Sequence, residues 1–203
     1  MHERMLAGIL CVACLIALPA RAQDDEAAHG EDLYSRQGVY LQALFTNNIG
    51  GYAFGGALDN DAQYSTGIGG ALGYRIHEHV AAEIYGDWVA GWRLKGPGVD
   101  RGDAVAGTIG INAKGYLHGG RFQPYALFGL GAAYAERVRT RVSSGLEWDM
   151  AIRLGVGFDW YATEEVGFTF APMWVQPLGI GANLSDFQYV SIGIGAFLRF
   201  GGE

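Results

Sequence analysis

Four groups of residues in this chain have types and spacings that could do chemistry. His77 and His79 flank Glu78, and two imidazoles at that spacing can share a metal ion, although a structural zinc site takes four ligands. A serine hydrolase needs a histidine beside a serine and an acid. Beyond the first 22 residues the histidines are His29, His77, His79 and His118, and the candidate nucleophiles are Ser143, Ser144 and Ser185. Arg137, Arg139 and Arg141 alternate along one short stretch, and the guanidinium fork suits phosphate oxygens. Arg75, Glu83, Asp87, Arg93, Lys114, Arg153, Asp159 and Arg199 each interrupt a run of glycine and aliphatic residues. Charges of both signs set into such runs can pair across a shared interior.

What would position them is a set of strands. In the last one, Gln188 to Phe200, the even positions from Val190 are Ile192, Ile194, Ala196, Leu198 and Phe200, and the odd ones are Tyr189, Ser191, Gly193, Gly195, Phe197 and Arg199. Strand side chains alternate faces, so one face suits hydrocarbon and the other a crowded, partly polar interior. A tilted strand of roughly 9–11 residues crosses a bilayer. Unpaired backbone groups in lipid cost several kcal/mol each, so only a closed barrel is viable there. The same alternation recurs over residues 39–46, 64–76, 80–93, 104–117, 123–136, 147–161 and 166–175. That gives eight strands. Pro172 removes a ladder donor in the seventh and predicts a bulge or a local break.

The parity places Arg75, Glu83, Asp87, Arg93, Lys114, Arg153, Asp159 and Arg199 inside. Eight strands leave a bore just wide enough for side chains to fill. Buried charge is costly unless paired, so these residues are expected to form a lumenal polar network that holds the strands in register. Glu83 and Arg153 are both assigned to it. A gated polar pathway is the alternative.

Connections alternate long and short, as between extracellular loops and periplasmic turns. Outward aromatics fall into two groups. Tyr74, Phe158, Trp160, Phe168 and Phe200 lie towards the short turns, and Phe45, Trp88, Trp92, Tyr134, Trp148 and Trp174 towards the long loops. Two such girdles mark a membrane-spanning barrel. The histidines at 77, 79 and 118 then fall at the opposite end from the candidate serines. A hydrolase is disfavoured, the histidine pair reads as an exposed turn without metal, and no cofactor is expected.

The first residues, Met1 to Arg4, precede an apolar run from Met5 to Leu18 and then Pro19-Ala20-Arg21-Ala22. This reads as a signal peptide of residues 1–22, cleaved after Ala22. Lipidation at Cys14 is the rival reading. Cys11 and Cys14 are the chain's two cysteines, so cleavage leaves no thiol chemistry. Residues 23–37 are polar and acidic and read as a flexible tail, 38–200 as the barrel, and 201–203 as a short C-terminal tail. Glycine supplies 33 of 203 residues, and because it alternates with large apolar residues it argues for strands rather than disorder. The formal charge of −7 is opposite to what nucleic-acid binding requires.

Ala71-Leu72-Gly73-Tyr74-Arg75 before a short turn into Val80-Ala81-Ala82-Glu83, Pro124-Tyr125 entering a glycine-alternating strand, Gly155-Val156-Gly157-Phe158-Asp159 and the terminal strand ending at Phe200 together carry a resemblance. The chain resembles the small outer-membrane β-barrels, among them the membrane domain of outer membrane protein A, outer membrane protein X and the Ail and opacity adhesins. The resemblance implies an all-β, eight-stranded antiparallel up-and-down transmembrane barrel. It further implies insertion by the barrel assembly machinery, with Phe200 as the assembly signal, although Gly201-Gly202-Glu203 follow it.

The expected protein is a monomer of the outer membrane, surrounded by its lipids and lipopolysaccharide. Its expected role is non-enzymatic, either structural or surface-interacting. Arg137, Arg139 and Arg141 are candidates to contact lipopolysaccharide phosphates or an anionic extracellular ligand. Tyr52, Phe54 and Leu58 in the first long loop are candidates for adhesion. An adhesin or resistance factor acting through its loops, a narrow channel and a lipid-modifying enzyme stand as alternatives.

Overall fold

The computed structural model describes residues 31–50, 63–94, 102–139, 142–180 and 188–201. A short helix, α1 (Glu31–Ser35), precedes eight strands: β1 (Gly38–Gly50), β2 (Gln63–His77), β3 (Val80–Leu94), β4 (Gly102–Tyr116), β5 (Phe122–Arg139), β6 (Val142–Tyr161), β7 (Val166–Pro177) and β8 (Tyr189–Phe200). Each strand pairs antiparallel with the next, and β1 pairs with β8, so the sheet closes into an up-and-down barrel. Closure leaves no edge strand, the condition that lets strands reside in lipid.

The polarity of the wall is inverted relative to a water-soluble protein. Ile84 and its register partner Ile111 are each 62% exposed on the outside. Arg75, Lys114 and Gln123 are 1%, 2% and 0% exposed on the inside. Aromatic clusters belt the outer surface at both ends. Phe122, Phe158 and Phe170, with the stacked Trp160 and Phe168, gather towards the short turns, while Tyr134 and Trp148 meet at 5.2 Å towards the long loops. Leu127, on the interior side of the glycine-rich fifth strand, is buried with Tyr40, Ala81, Tyr116 and Tyr125.

The strands are longer than their alternating cores suggested. β1 runs past Thr46 to Gly50, so Phe45 lies within the strand rather than at its end. β5 continues to Arg139 and β6 begins at Val142, which places Ser143 and Ser144 in strand rather than in a long loop. Backbone pairing of Val138 with Ser143 and Arg139 with Val142 carries this hairpin outward. In β3 the register shifts between Val89 and Trp92; the side chains of Trp92 and Arg93, expected outward and inward, lie outside the described residues. Pro172 produces a break without a register shift. Gly155 pairs with Met173 and Phe158 with Phe170, and the ladder is interrupted between them.

Residues 23–37 were expected as a flexible tail. Residues 31–37 are the described part of that segment, and they hold α1, whose Leu33 and Tyr34 carbonyls accept hydrogen bonds from Arg199 at the short-turn end of the barrel.

Candidate functional site

Strand parity aims the polar side chains into the bore, where they stack in three layers. The central layer is built around Lys114 on β4. Its Nζ lies 2.8 Å from Glu83 Oε1 and 3.8 Å from Asp159 Oδ2. It also donates to Gln42 Oε1 at 3.4 Å and sits 4.4 Å from the centre of the Tyr125 ring. Glu83 accepts from the Tyr40 hydroxyl at 2.7 Å and from Asn112 Nδ2 at 3.0 Å. Asp159 accepts from the Tyr116 hydroxyl at 2.9 Å. Removing two charges from water costs several kcal/mol per ion, and only close pairing with further hydrogen bonds offsets that cost. Both conditions are met here.

Towards the long loops, Arg153 on β6 approaches Asp87 of β3 at 3.6 Å. Its guanidinium lies over the Tyr85 ring at 3.7 Å and donates to the Met173 sulfur at 3.0 Å. Asp87 in turn accepts from both the amide and the hydroxyl of Thr108, each at 2.7 Å. A hydrophobic cap of Val89, Ala106, Val175 and Tyr189 closes the bore beyond. Further out, Asp149 accepts the amides of Gly179 and Ile180 at 2.6 and 2.8 Å, anchoring the start of the β7–β8 connection.

At the short-turn end, Arg75 and Arg199 point into the bore mouth. Arg75 donates to Gln123 Oε1 at 2.5 Å and to the Glu78 carbonyl, with its guanidinium 4.2 Å from the Tyr116 ring centre. Arg75 and Arg199 both donate to the Tyr34 carbonyl of α1, and Arg199 also to that of Leu33.

Between the layers a cavity of about 20 Å³ remains, lined by Glu83, Asp87, Asn112, Lys114 and Arg153 among others. That is room for a single water, not for a hydrated ion or a substrate.

Seven of the eight charged residues assigned to the bore lie in it, grouped in three layers; the side chain of the eighth, Arg93, lies outside the described residues. The partners that reading residues by charge missed are neutral: the ring and sulfur that receive Arg153, the Gln123 amide and the α1 carbonyls. Tyr40, Gln42, Tyr85 and Tyr116 shared the inward parity, and that was the available signal. His77, Glu78 and His79 are exposed in the β2–β3 turn, with candidate ligand atoms within 4.8 Å of one another. The backbones of Arg137 and Arg139 belong to the outer part of β5; their side chains and all of Arg141 lie outside the described residues, as do Ser185, Tyr52, Phe54 and Leu58. Phe200 ends β8 opposite Val39, 54% exposed on the outer wall, and Gly201 follows with φ of 81°.

A closed eight-stranded barrel with apolar walls and a filled polar bore agrees with what known proteins show. The family model of the outer membrane protein beta-barrel domain matches residues 10–200. The chain belongs to that family. Members of the outer membrane β-barrel family reside in the outer membrane of Gram-negative cells, and so does this protein. No curated protein matches the chain by sequence. Among solved structures it is similar to Neisserial surface protein A (TM-score 0.64, 14% identity, covering 80% of this chain and 97% of that one). It is also similar to Ail, the attachment invasion locus protein of Yersinia pestis, in complex with the heparin analogue sucrose octasulfate (TM-score 0.56, 13% identity, 81% and 99% covered). A third is OprG from Pseudomonas aeruginosa (TM-score 0.51, 18% identity, 81% and 97% covered). At these identities the shared property is the fold.

Proposed function

We propose that this outer-membrane barrel is a non-enzymatic monomer with a structural or surface-interaction role, its bore a register-holding polar core rather than a pathway. The observation that carries this reading is the central layer, where Lys114, Glu83 and Asp159 occupy the bore and leave about 20 Å³ beside them. Buried networks of this kind rigidify the structure when their members are satisfied. The test is reconstitution in a planar bilayer of protein verified as folded by its heat-modifiable gel mobility. No steady conductance is expected, and sustained ohmic conductance from the unmodified chain would overturn the reading.

Interaction is assigned to the long-loop end. Arg137, Arg139 and Arg141 there suit anionic oxygens, either lipopolysaccharide phosphates or an extracellular ligand. That Ail has been crystallised with a sulfated sugar analogue adds weight to an anionic partner. The triple substitution R137S/R139S/R141S is expected to lower retention on immobilised lipopolysaccharide, and unchanged retention would remove the assignment. Phe200 is assigned as the aromatic read by the barrel assembly machinery.

A further inference from the structure

Two buried arginines at the short-turn mouth converge on a single carbonyl oxygen. The Tyr34 carbonyl receives Arg199 Nη1 at 2.8 Å, Arg75 Nη1 at 3.2 Å and Gln123 Nε2 at 3.2 Å. Three donors on one carbonyl exceed its two lone pairs. The second arm of Arg199 reaches the next oxygen along, Leu33 O, at 2.6 Å. One guanidinium thus grips two neighbouring oxygens, the fork geometry by which arginine binds carboxylate and phosphate.

The charge at this mouth is not matched by an acid. Among the described residues no carboxylate lies within 4.0 Å of either guanidinium, whereas Lys114 has two and Arg153 has one. Arg75 is 1% and Arg199 6% exposed, and Arg75 Nε is buried without a hydrogen-bond partner. Two buried cations are therefore met by the partial charges of amide oxygens and by the faces of the Tyr116 and Tyr161 rings, 4.2 and 5.2 Å away, but by no formal negative charge among the described residues. Gln123, fully buried, adds a neutral donor to the same point.

We propose that the short-turn mouth is an oxyanion site, of the phosphate or sulfate class, which the chain's own N-terminal segment occupies in cis. Charge-assisted hydrogen bonds to an anion are roughly twice as strong as neutral ones. The carbonyls of Leu33 and Tyr34 hold the site because they are tethered a few residues from β1, and tethering gives a short segment an effective concentration in the millimolar range. Ring contact between Tyr34 and Tyr161 at 5.5 Å and the bond from Arg121 Nε to the Tyr34 hydroxyl at 2.8 Å add to its grip. Once the segment is displaced, Arg75, Arg199 and Gln123 face the periplasm, the side on which this family places its short turns, and take a soluble anion. The arginines project into the bore rather than onto the lipid-facing wall, which favours a soluble anion over a lipid headgroup.

The test starts from the full chain with a protease site inserted between Gln37 and Gly38, folded first and cut afterwards, so that folding does not depend on the missing tether. Inorganic phosphate at tens of millimolar, against sodium chloride of equal ionic strength, is the probe, and the midpoint of the heat-induced gel shift is the readout. The uncut chain is expected not to respond. The cut chain, after removal of the released peptide, is expected to lose stability and to regain roughly 5 °C with phosphate. R199Q, with R75Q as a second variant should the first fail to fold, is expected to abolish that recovery. An unresponsive cut chain, an equal response from the uncut chain, a response that survives both substitutions, or one that requires phosphatidylglycerol instead of inorganic phosphate would each overturn the proposal.

Discussion

Lys114 and Glu83 meet diagonally across β3 and β4: the register pairs Glu83 with Asn112 and Lys114 with Ala81, and the lysine reaches two positions along to close a 2.8 Å ion pair. Diagonal neighbours on one sheet face are within reach of long side chains, and here the diagonal has a consequence for register. A one-residue slip of β4 against β3 would turn Lys114 to the outer wall and leave Glu83 and Asp159 buried together. The pair therefore opposes the misregistered sheet as well as stabilising the native one.

Lys114 serves two carboxylates, so its loss is expected to cost more than the loss of either acid. Lys114→Met leaves Glu83 and Asp159 buried without a cation, and breaking a buried pair in this way costs about 3–5 kcal/mol. Glu83→Gln keeps one of the two hydrogen bonds accepted from Tyr40 and Asn112, since its amide nitrogen cannot accept, and leaves Lys114 facing Asp159. It is expected to cost about 1–2 kcal/mol. Urea unfolding in lipid vesicles, followed by tryptophan fluorescence, measures both, and equal costs would show that the two acids do not share the lysine.

Gly73 on β2 lies under the Tyr40 ring, and a Cβ there would come within 2.6 Å of three ring carbons, Cζ, Cε1 and Cε2. The ring is held in place by its own bond to Glu83, so it cannot swing aside without releasing that carboxylate. Gly73→Ala is expected to destabilise by about 1–3 kcal/mol, the usual cost of overpacking, and to lose much of that effect in a Tyr40→Leu background. Gly115, whose Cβ would meet no atom within 4 Å, provides the control: Gly115→Ala is expected to be close to neutral.

The architecture was legible in the sequence because a barrel wall obeys a period of two over long runs between bulges, and parity, loop alternation and aromatic placement are redundant statements of one geometry. The alternation carried Glu83 and Arg153 inward despite their opposite charge, since both follow from position. Strand ends were less legible. Asn47 to Gly50 look like loop residues, yet the neighbours Gln63 to Thr66 and Tyr189 to Ile192 supply their ladder, information that no local window contains. The bulge after Val89 was hidden for the same reason. In the bore, charge marked the residues but not their grouping, because which layer a side chain joins depends on the stagger between strands. The role of α1 was illegible altogether: its bonds are made by backbone carbonyls, which every sequence possesses.

The outer wall offers a direct check of polarity. Ile84 sits among the most exposed aliphatic side chains, opposite Ile111. Ile84→Arg is expected to cost about 2–4 kcal/mol in vesicles, the range for a cation near the midplane of a barrel wall, whereas Ile84→Leu should be neutral. In the same vesicles brominated lipid should quench Trp88, Trp148 and Trp160, which are exposed on that wall. A tryptophan signal indifferent to brominated lipid would contradict the inverted polarity.

The second ion pair of the bore should behave differently from the first. Arg153 and Asp87 are separated by 3.6 Å, and each has other partners: Thr108 supplies two donors to the carboxylate, and the Tyr85 ring and Met173 sulfur receive the guanidinium. Removal of either residue therefore leaves the other partly satisfied. A double-mutant cycle with Asp87→Asn and Arg153→Met is expected to give a coupling energy of about 1 kcal/mol or less. The corresponding cycle with Glu83→Gln and Lys114→Met should exceed about 2 kcal/mol. If the order were reversed, the layer nearer the long loops would be the one that fixes the register, and the central lysine would be a space-filling residue that happens to carry a charge.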